Sequence, residues 1–270
     1  MTLEDRDFTR LMRYMYDNFG INLEKKRTLI EGRLSNTLQI QGYTSFHDYI
    51  DDVMADRNGS MVNELITRLT TNYTYFMREE VHYEFMSKVA LPEWTRKIPD
   101  RDLRIWSAGC SSGEEAYTAA MVISEYLGAH KSQWDSTLLA TDISPKVLTK
   151  AKLGIYSAGQ LEGIPKSWKQ KYFRDIGDDQ YQVSQELQKE VVFGQFNLMN
   201  SFSQFKKKFH IIFCRNVMIY FDNPTKAALT KKFYDVLDRG GYLFIGLSET
   251  LSGVNDRFEL VSPAIYRKGS

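Results

Sequence analysis

From Leu103 to Tyr117 the chain reads as a short apolar strand, a loop of small residues and the start of a helix. No other feature constrains the fold as much. Leu103 to Ser107 is the strand, Gly109 and Gly113 flank Cys110, Ser111 and Ser112, and Glu114-Glu115 open the helix. Glycine admits tight backbone geometry and close approach of a ligand. In open α/β sheets, ligands sit at the carboxyl ends of strands where the strand order reverses. A loop of small residues alone is equally consistent with ordinary strand-to-helix chemistry.

Charge narrows the choice. A dinucleotide or P-loop site places phosphate on the helix N-terminus. Here the helix opens with two carboxylates and there is no Gly-Lys-Ser/Thr. Glu114 and Glu115 would repel phosphate and suit a cationic, phosphate-free ligand. S-adenosylmethionine fits, with its positive sulfonium and ammonium and its ribose hydroxyls. The pair also complements the helix dipole, and both readings can hold together. A second strand, Ser136 to Thr141, ends on Asp142. An acid at that point accepts hydrogen bonds from ribose, although Asp142 or Ser144 could also cap the next helix.

The elements divide near residue 100. Phe8, Leu11, Met12, Met15, Tyr16 and Phe19 recur at helical spacing, and Gly20 follows as a C-cap. Further helices are expected over Leu29 to Ile40, from Ser45 to Met54 with Thr44 as N-cap, and around Val62 to Leu69. A fifth is expected from Arg78 to Lys97. After Pro99, strands at 103–107, 136–141, 210–214 and 241–246 alternate with helices, and one or two more lie within 258–266. Alternation implies a mostly parallel sheet covered on both faces. Between Gln180 and Asn197 the pattern of Tyr181, Val183, Val191, Val192 and Phe193 predicts a small antiparallel insertion.

Composition removes several classes. Thirty-five Lys and Arg against 34 Asp and Glu leave a net charge of +1, too little basic excess for a general nucleic-acid coat. Two distant cysteines exclude a disulfide framework or a four-cysteine zinc site, so no metal and a reducing compartment are expected. The charged N-terminus has no signal-peptide core and no apolar run is long enough to span a membrane. A cytoplasmic protein is the expectation, with no membrane insertion.

Taken in order, these segments resemble the chemotaxis receptor methyltransferases, the CheR family. The resemblance rests on Leu69 to Glu79, Trp106 to Tyr117, Ala140 to Ser144, Phe196 to Leu198, Phe213 to Asp222 and Gly246 to Thr250, and it covers nearly the whole chain. It implies an α/β fold: a class I, Rossmann-like methyltransferase domain with a small antiparallel β-subdomain, preceded by an all-α N-terminal domain. The expected boundaries are 1–75 for a helical receptor-docking domain, 76–98 for a linker and connecting helix, and 99–270 for the methyltransferase domain with an insertion at about 172–195. It implies transfer of methyl from S-adenosylmethionine to glutamate side chains of chemoreceptors, leaving S-adenosylhomocysteine. The expected partners are the cytoplasmic domain of chemoreceptors and regulatory proteins, and the expected state is a monomer.

By position, the resemblance assigns Asn72, Thr74, Arg78, Gly109, Glu115, Asp142, Asn197, Leu198, Arg215 and Asn216 to the cofactor. Arg78 and Tyr220 are its catalytic residues. Without it, Asn72 and Thr74 read as turn residues, Tyr220 as core, and Arg78 as a partner of Glu79 or Glu80. Arg10, Arg13, Lys25, Lys26, Arg27 and Arg33 form the implied basic docking face; by themselves they read as a solvated surface. Some relatives grip a receptor peptide by adding it to an edge of the β-subdomain. The turn from Arg174 to Gln180 is shorter here, so a peptide-independent form is expected. Two other readings stay open: a related methyltransferase with another protein or small-molecule acceptor, and a cofactor-binding regulator without turnover.

Overall fold

A computed structural model describes residues 1–70 and 73–269. The helical spacing near the N-terminus produces α1 (Asp5–Phe19), which stops at Gly20 in the left-handed region, φ +68°. It packs with α2 (Arg27–Ile40), α3 (Phe46–Ala55) and α4 (Ser60–Leu69). Leu11, Met15, Ile30, Leu34, Ile50 and Leu65 are fully buried in one shared core. The cap of α3 is Ser45, not Thr44: its hydroxyl accepts from the Asp48 amide at 3.1 Å.

The expected fifth helix starts later and is broken. Met77 and Glu79 have φ of +61° and +58°, so this part of the linker is a turn. α5 (Val81–Phe85) follows, then a π-turn (Met86–Ala90), then α6 (Leu91–Lys97). Pro92 lies in the first turn of α6 and has no N–H for a carbonyl one turn back. The wider π-turn before it relieves that mismatch.

The remainder runs β1 (Ile105–Ala108), α7 (Glu114–Leu127), β2 (Leu138–Asp142), α8 (Pro145–Leu153), β3 (Ile155–Ser157), α9 (Lys166–Tyr172), β4 (Phe173–Gly177), β5 (Gln180–Val183), α10 (Gln185–Gln188), β6 (Val191–Gln195), β7 (Phe209–Cys214), α11 (Asn223–Val236), β8 (Leu237–Ile245), β9 (Phe258–Ser262) and β10 (Ile265–Lys268). The main sheet has the order β6-β2-β1-β7-β8-β10-β9, with β10 antiparallel to both of its neighbours. From β1 the chain winds outward to β2 and β6, then returns to β7 on the other side. The switch point therefore lies between β1 and β7, where a crevice is expected.

The second sheet, β3-β5-β4, is antiparallel. It differs from the expectation in one strand. Val191 to Phe193 belong to β6, which pairs parallel with β2 at the edge of the main sheet. An edge strand half covered by the core alternates as an insertion would; Val191 is buried and Val192 is 54% exposed. The third strand of the small sheet is instead Ile155 to Ser157, too short to show a period. Its hairpin turns at Asp178-Asp179, both at positive φ. Among the described residues, no helix is long and apolar enough to cross a membrane.

Candidate active site

A cavity of about 610 Å³ opens at the carboxyl ends of β1, β2 and β7, and the helical layer roofs it. Phe19, Asn22, Leu23, Leu29, Ile66 and Leu69 line that roof. Polar contacts hold the seam: the Tyr16 hydroxyl donates to Asp222 at 3.0 Å, the Asn22 amide to the Tyr220 carbonyl at 2.9 Å, and Thr67 and Ser144 share a hydroxyl contact at 2.9 Å. Gly20 lies in the seam as well, where a Cβ would stand 2.7 Å from the Met199 sulfur.

The loop after β1 needs its glycines. Gly109 has φ +96°, and a Cβ there would come within 2.4 Å of Val217 Cγ2. Gly113 has φ +98°, and its Cβ would meet Ala151 and the Tyr156 hydroxyl at 2.9 Å. The adjacent acids then part company, because neighbours on a helix point about 100° apart. Only Glu115 lines the cavity. Glu114 is fully buried, and its carboxylate accepts from the Ser112 hydroxyl at 2.7 Å and from Gln160 at 3.3 Å. The two-carboxylate cavity expected from sequence is thus a one-carboxylate cavity at this point.

Glu115 accepts from the Ser107 hydroxyl at 2.7 Å and from Arg215 at 3.2 Å. Burial raises its pKa, and Arg215 opposes the rise. The Arg215 side chain is 2% exposed. Its Nε reaches Glu79 at 3.3 Å; Nη1 reaches the Tyr83 hydroxyl at 2.9 Å and Glu115 at 3.2 Å; Nη2 reaches Glu79 at 3.2 Å and the Arg78 carbonyl. All five N–H groups are therefore engaged within the protein. Arg215 lines the cavity but shapes it through Glu115 and the linker.

Asp142 ends β2 in the cavity wall. Its two oxygens accept from the Ser111 and Ser144 amides, each at 2.9 Å. The contact to Ser144 is an Asx turn leading into α8; Ser144 is the N-cap position, and neither side chain caps a helical amide. The carboxylate keeps lone-pair capacity for a ligand hydroxyl. Burial raises this carboxyl's pKa too, against the amides of Ser144, Ser111 and Ile143.

The structure brings Thr74, Arg78, Asn197, Leu198, Asn216 and Tyr220 to the same cavity. Asn72 lies outside the described residues. Arg78 donates to the Tyr73 carbonyl at 2.7 Å and lies 6.0 Å from the Tyr75 ring centre. Asn197 donates to the Asn18 carbonyl at 2.9 Å, so it also ties the two layers together. Asn216 stands at φ +58°, a position that asparagine tolerates better than most residues.

The basic residues of the helical layer stand in different surroundings. Arg33 donates to the carbonyls of Arg68, Leu69 and Thr70 at 3.0–3.2 Å, where the end of α4 attracts a cation, and it lines the cavity. Lys26 lines the cavity as well. Arg10 pairs with Asp7 and Asp51, and Arg27 with Asp5. Arg13, Lys25 and Lys26 are exposed.

Sequence reasoning did not assign site roles to Glu79, Tyr83, Ser107 or Glu249. Glu79 and Glu249 lie inside motifs that were singled out, but nothing in a motif shows which of its side chains turns inward.

Two family profiles match the chain. "CheR methyltransferase, all-alpha domain" covers residues 6–70, and "CheR methyltransferase, SAM binding domain" covers residues 72–266. The chain belongs to the CheR methyltransferase family. A chemotaxis protein methyltransferase of Borreliella burgdorferi is 45% identical over 97% of this chain and 94% of its own length. Those of Escherichia coli and Salmonella typhimurium are each 34% identical, over 98% of this chain and 92% and 91% of their own lengths. The CheR cofactor is S-adenosylmethionine, and the residues present fit it. Glu115 offers a buried carboxylate to a cation, Asp142 keeps lone pairs for hydroxyls, and Gly109 leaves room for close approach.

Proposed function

We propose that the protein methylates glutamate side chains of chemoreceptors, forming methyl esters. The observation that supports it most is the unbroken likeness of both layers to chemotaxis protein methyltransferases, over 97% of the chain for the Borreliella burgdorferi protein. In this reading, residues 1–75 dock the receptor, 76–98 link, and 99–270 carry the chemistry. When bound, S-adenosylmethionine supplies an electrophilic methyl group. A free glutamate has a pKa of about 4.3, so the acceptor is already a nucleophile at neutral pH and no base is required. The protein's part is positioning, which can be worth roughly 7–11 kcal/mol. Glu115 holds the cofactor's amino end and Asp142 its ribose. Asn72, Thr74, Asn197, Leu198 and Asn216 complete the pocket. Arg78 and Tyr220 orient the reacting groups.

The test is transfer of labelled methyl to receptor-containing membranes. Label should enter the receptor band and leave it as methanol in base. Base-stable label, label in a small molecule, or binding of S-adenosylhomocysteine without transfer would each reject the proposal.

Two variants probe the roles. Tyr220→Phe should lower turnover about 10- to 100-fold while S-adenosylhomocysteine affinity, read by calorimetry, stays within about threefold, since the lost hydroxyl acts on the reaction rather than on binding. Equal losses would remove that role. Reversing Lys25 and Lys26 to Glu should raise the receptor KM and flatten its salt dependence, because exposed charges steer encounter. Unchanged kinetics would exclude a docking role for this end of α2.

A further inference from the structure

Glu249 lies in the segment after β8, outside the wall of the cavity. It is nevertheless a deeply placed carboxylate facing the site from behind. Oε2 accepts from the Asn216 amide at 2.9 Å and from the Gly246 amide at 2.7 Å. The amides of Met218 and Ile219 face the same carboxylate, and burial raises its pKa against all four. Burying a carboxylate is costly, so this side chain is kept in place against its own desolvation by the backbone amides around it.

What it touches is the loop from Arg215 to Tyr220. Asn216 is held there in the left-handed region, φ +58°, a conformation that persists where the surroundings impose it. Gly246 completes the cradle: a Cβ there would lie 2.4 Å from Asn216 Nδ2. That Nδ2 in turn donates to Glu79 at 3.4 Å. Directly beyond, Met218–Tyr220 forms a 3₁₀ turn that presents Tyr220 to the cavity. One carboxylate thus gathers the backbone of the loop that carries Arg215, Asn216 and Tyr220.

We propose that Glu249 is a positioning residue for methyl transfer, fixing the 215–220 loop so that Tyr220 meets the reacting groups. The inference rests on the role given to Tyr220 above. Carboxylate-to-amide hydrogen bonds are roughly twice as strong as neutral ones, so charge matters as well as shape. E249Q should therefore lower turnover about 10-fold and E249A about 100-fold, the scale of a 1 Å misplacement. The receptor KM should stay within about threefold, and the loss of affinity for S-adenosylhomocysteine, through Asn216, should be smaller than the loss of turnover. In protein without cofactor, the Asn216 and Gly246 amides should exchange hydrogen faster in both variants, while those of α1 and α4 keep the parent rate. If E249A does not fold, E249Q decides. Parent-like turnover in E249Q, a loss confined to KM, or unchanged exchange at Asn216 would each overturn the proposal. If the parent itself fails to methylate receptors, the functional reading falls, and the exchange result alone judges the loop.

Discussion

Replacing Arg215 with alanine should lower the free energy of unfolding by about 3–5 kcal/mol, the usual loss when one partner of a buried ion pair is removed. The size follows from what remains. Glu79 and Glu115 would face each other with side chains only 13% and 12% exposed and no cation between them. The Tyr83 hydroxyl and the Arg78 carbonyl would lose their donor as well. Lysine should not rescue the variant, because a single ammonium cannot replace a planar fork serving four groups. Urea denaturation followed by far-ultraviolet circular dichroism measures the loss. A change below about 1 kcal/mol, the level of a surface pair, would show that the network is not holding the linker to the sheet.

This network marks the limit of what the sequence made legible. Gly109, Gly113 and Asp142 could be read because their roles are local: a positive φ, a close approach, and an acid at the end of a strand. Hydrophobic period likewise gave the helices of the N-terminal layer to within a few residues. The direction of a side chain relative to a distant element leaves no such mark. Glu114 and Glu115 are equivalent as letters, yet one accepts from Ser112 and the other pairs with Arg215 in the cavity wall. Arg33 has the composition of a surface cation and sits instead on the carbonyls ending α4. The linker after Phe76 had good helical composition, but Met77 and Glu79 take positive φ because Glu79 and the Arg78 carbonyl must both reach Arg215. β6 was misplaced for a related reason. Alternation reports which side of a strand is covered, not which strand lies beside it.

Glu115→Gln should weaken binding of S-adenosylhomocysteine about 10- to 150-fold at neutral pH, the 1.5–3 kcal/mol of a charged hydrogen bond. The parent protein should also show a pH dependence that the variant loses. Glu115 must be ionised to hold an ammonium group, and burial has raised its pKa above the ordinary carboxylate value while Arg215 resists the rise. Affinity is therefore full above that raised pKa and falls as the pH drops through it, because protonation removes the negative charge. Asp142, also raised by burial, contributes a second loss on the acid side, and that slope should survive in the variant. Calorimetric titration of both proteins across mildly acid to neutral pH separates the two. Glutamine binding as tightly as glutamate at neutral pH would place the amino end elsewhere. An unchanged pH slope in the variant would assign the titration to Asp142 alone, and the one carboxylate that α7 turns into the cavity would then serve only to neutralise Arg215.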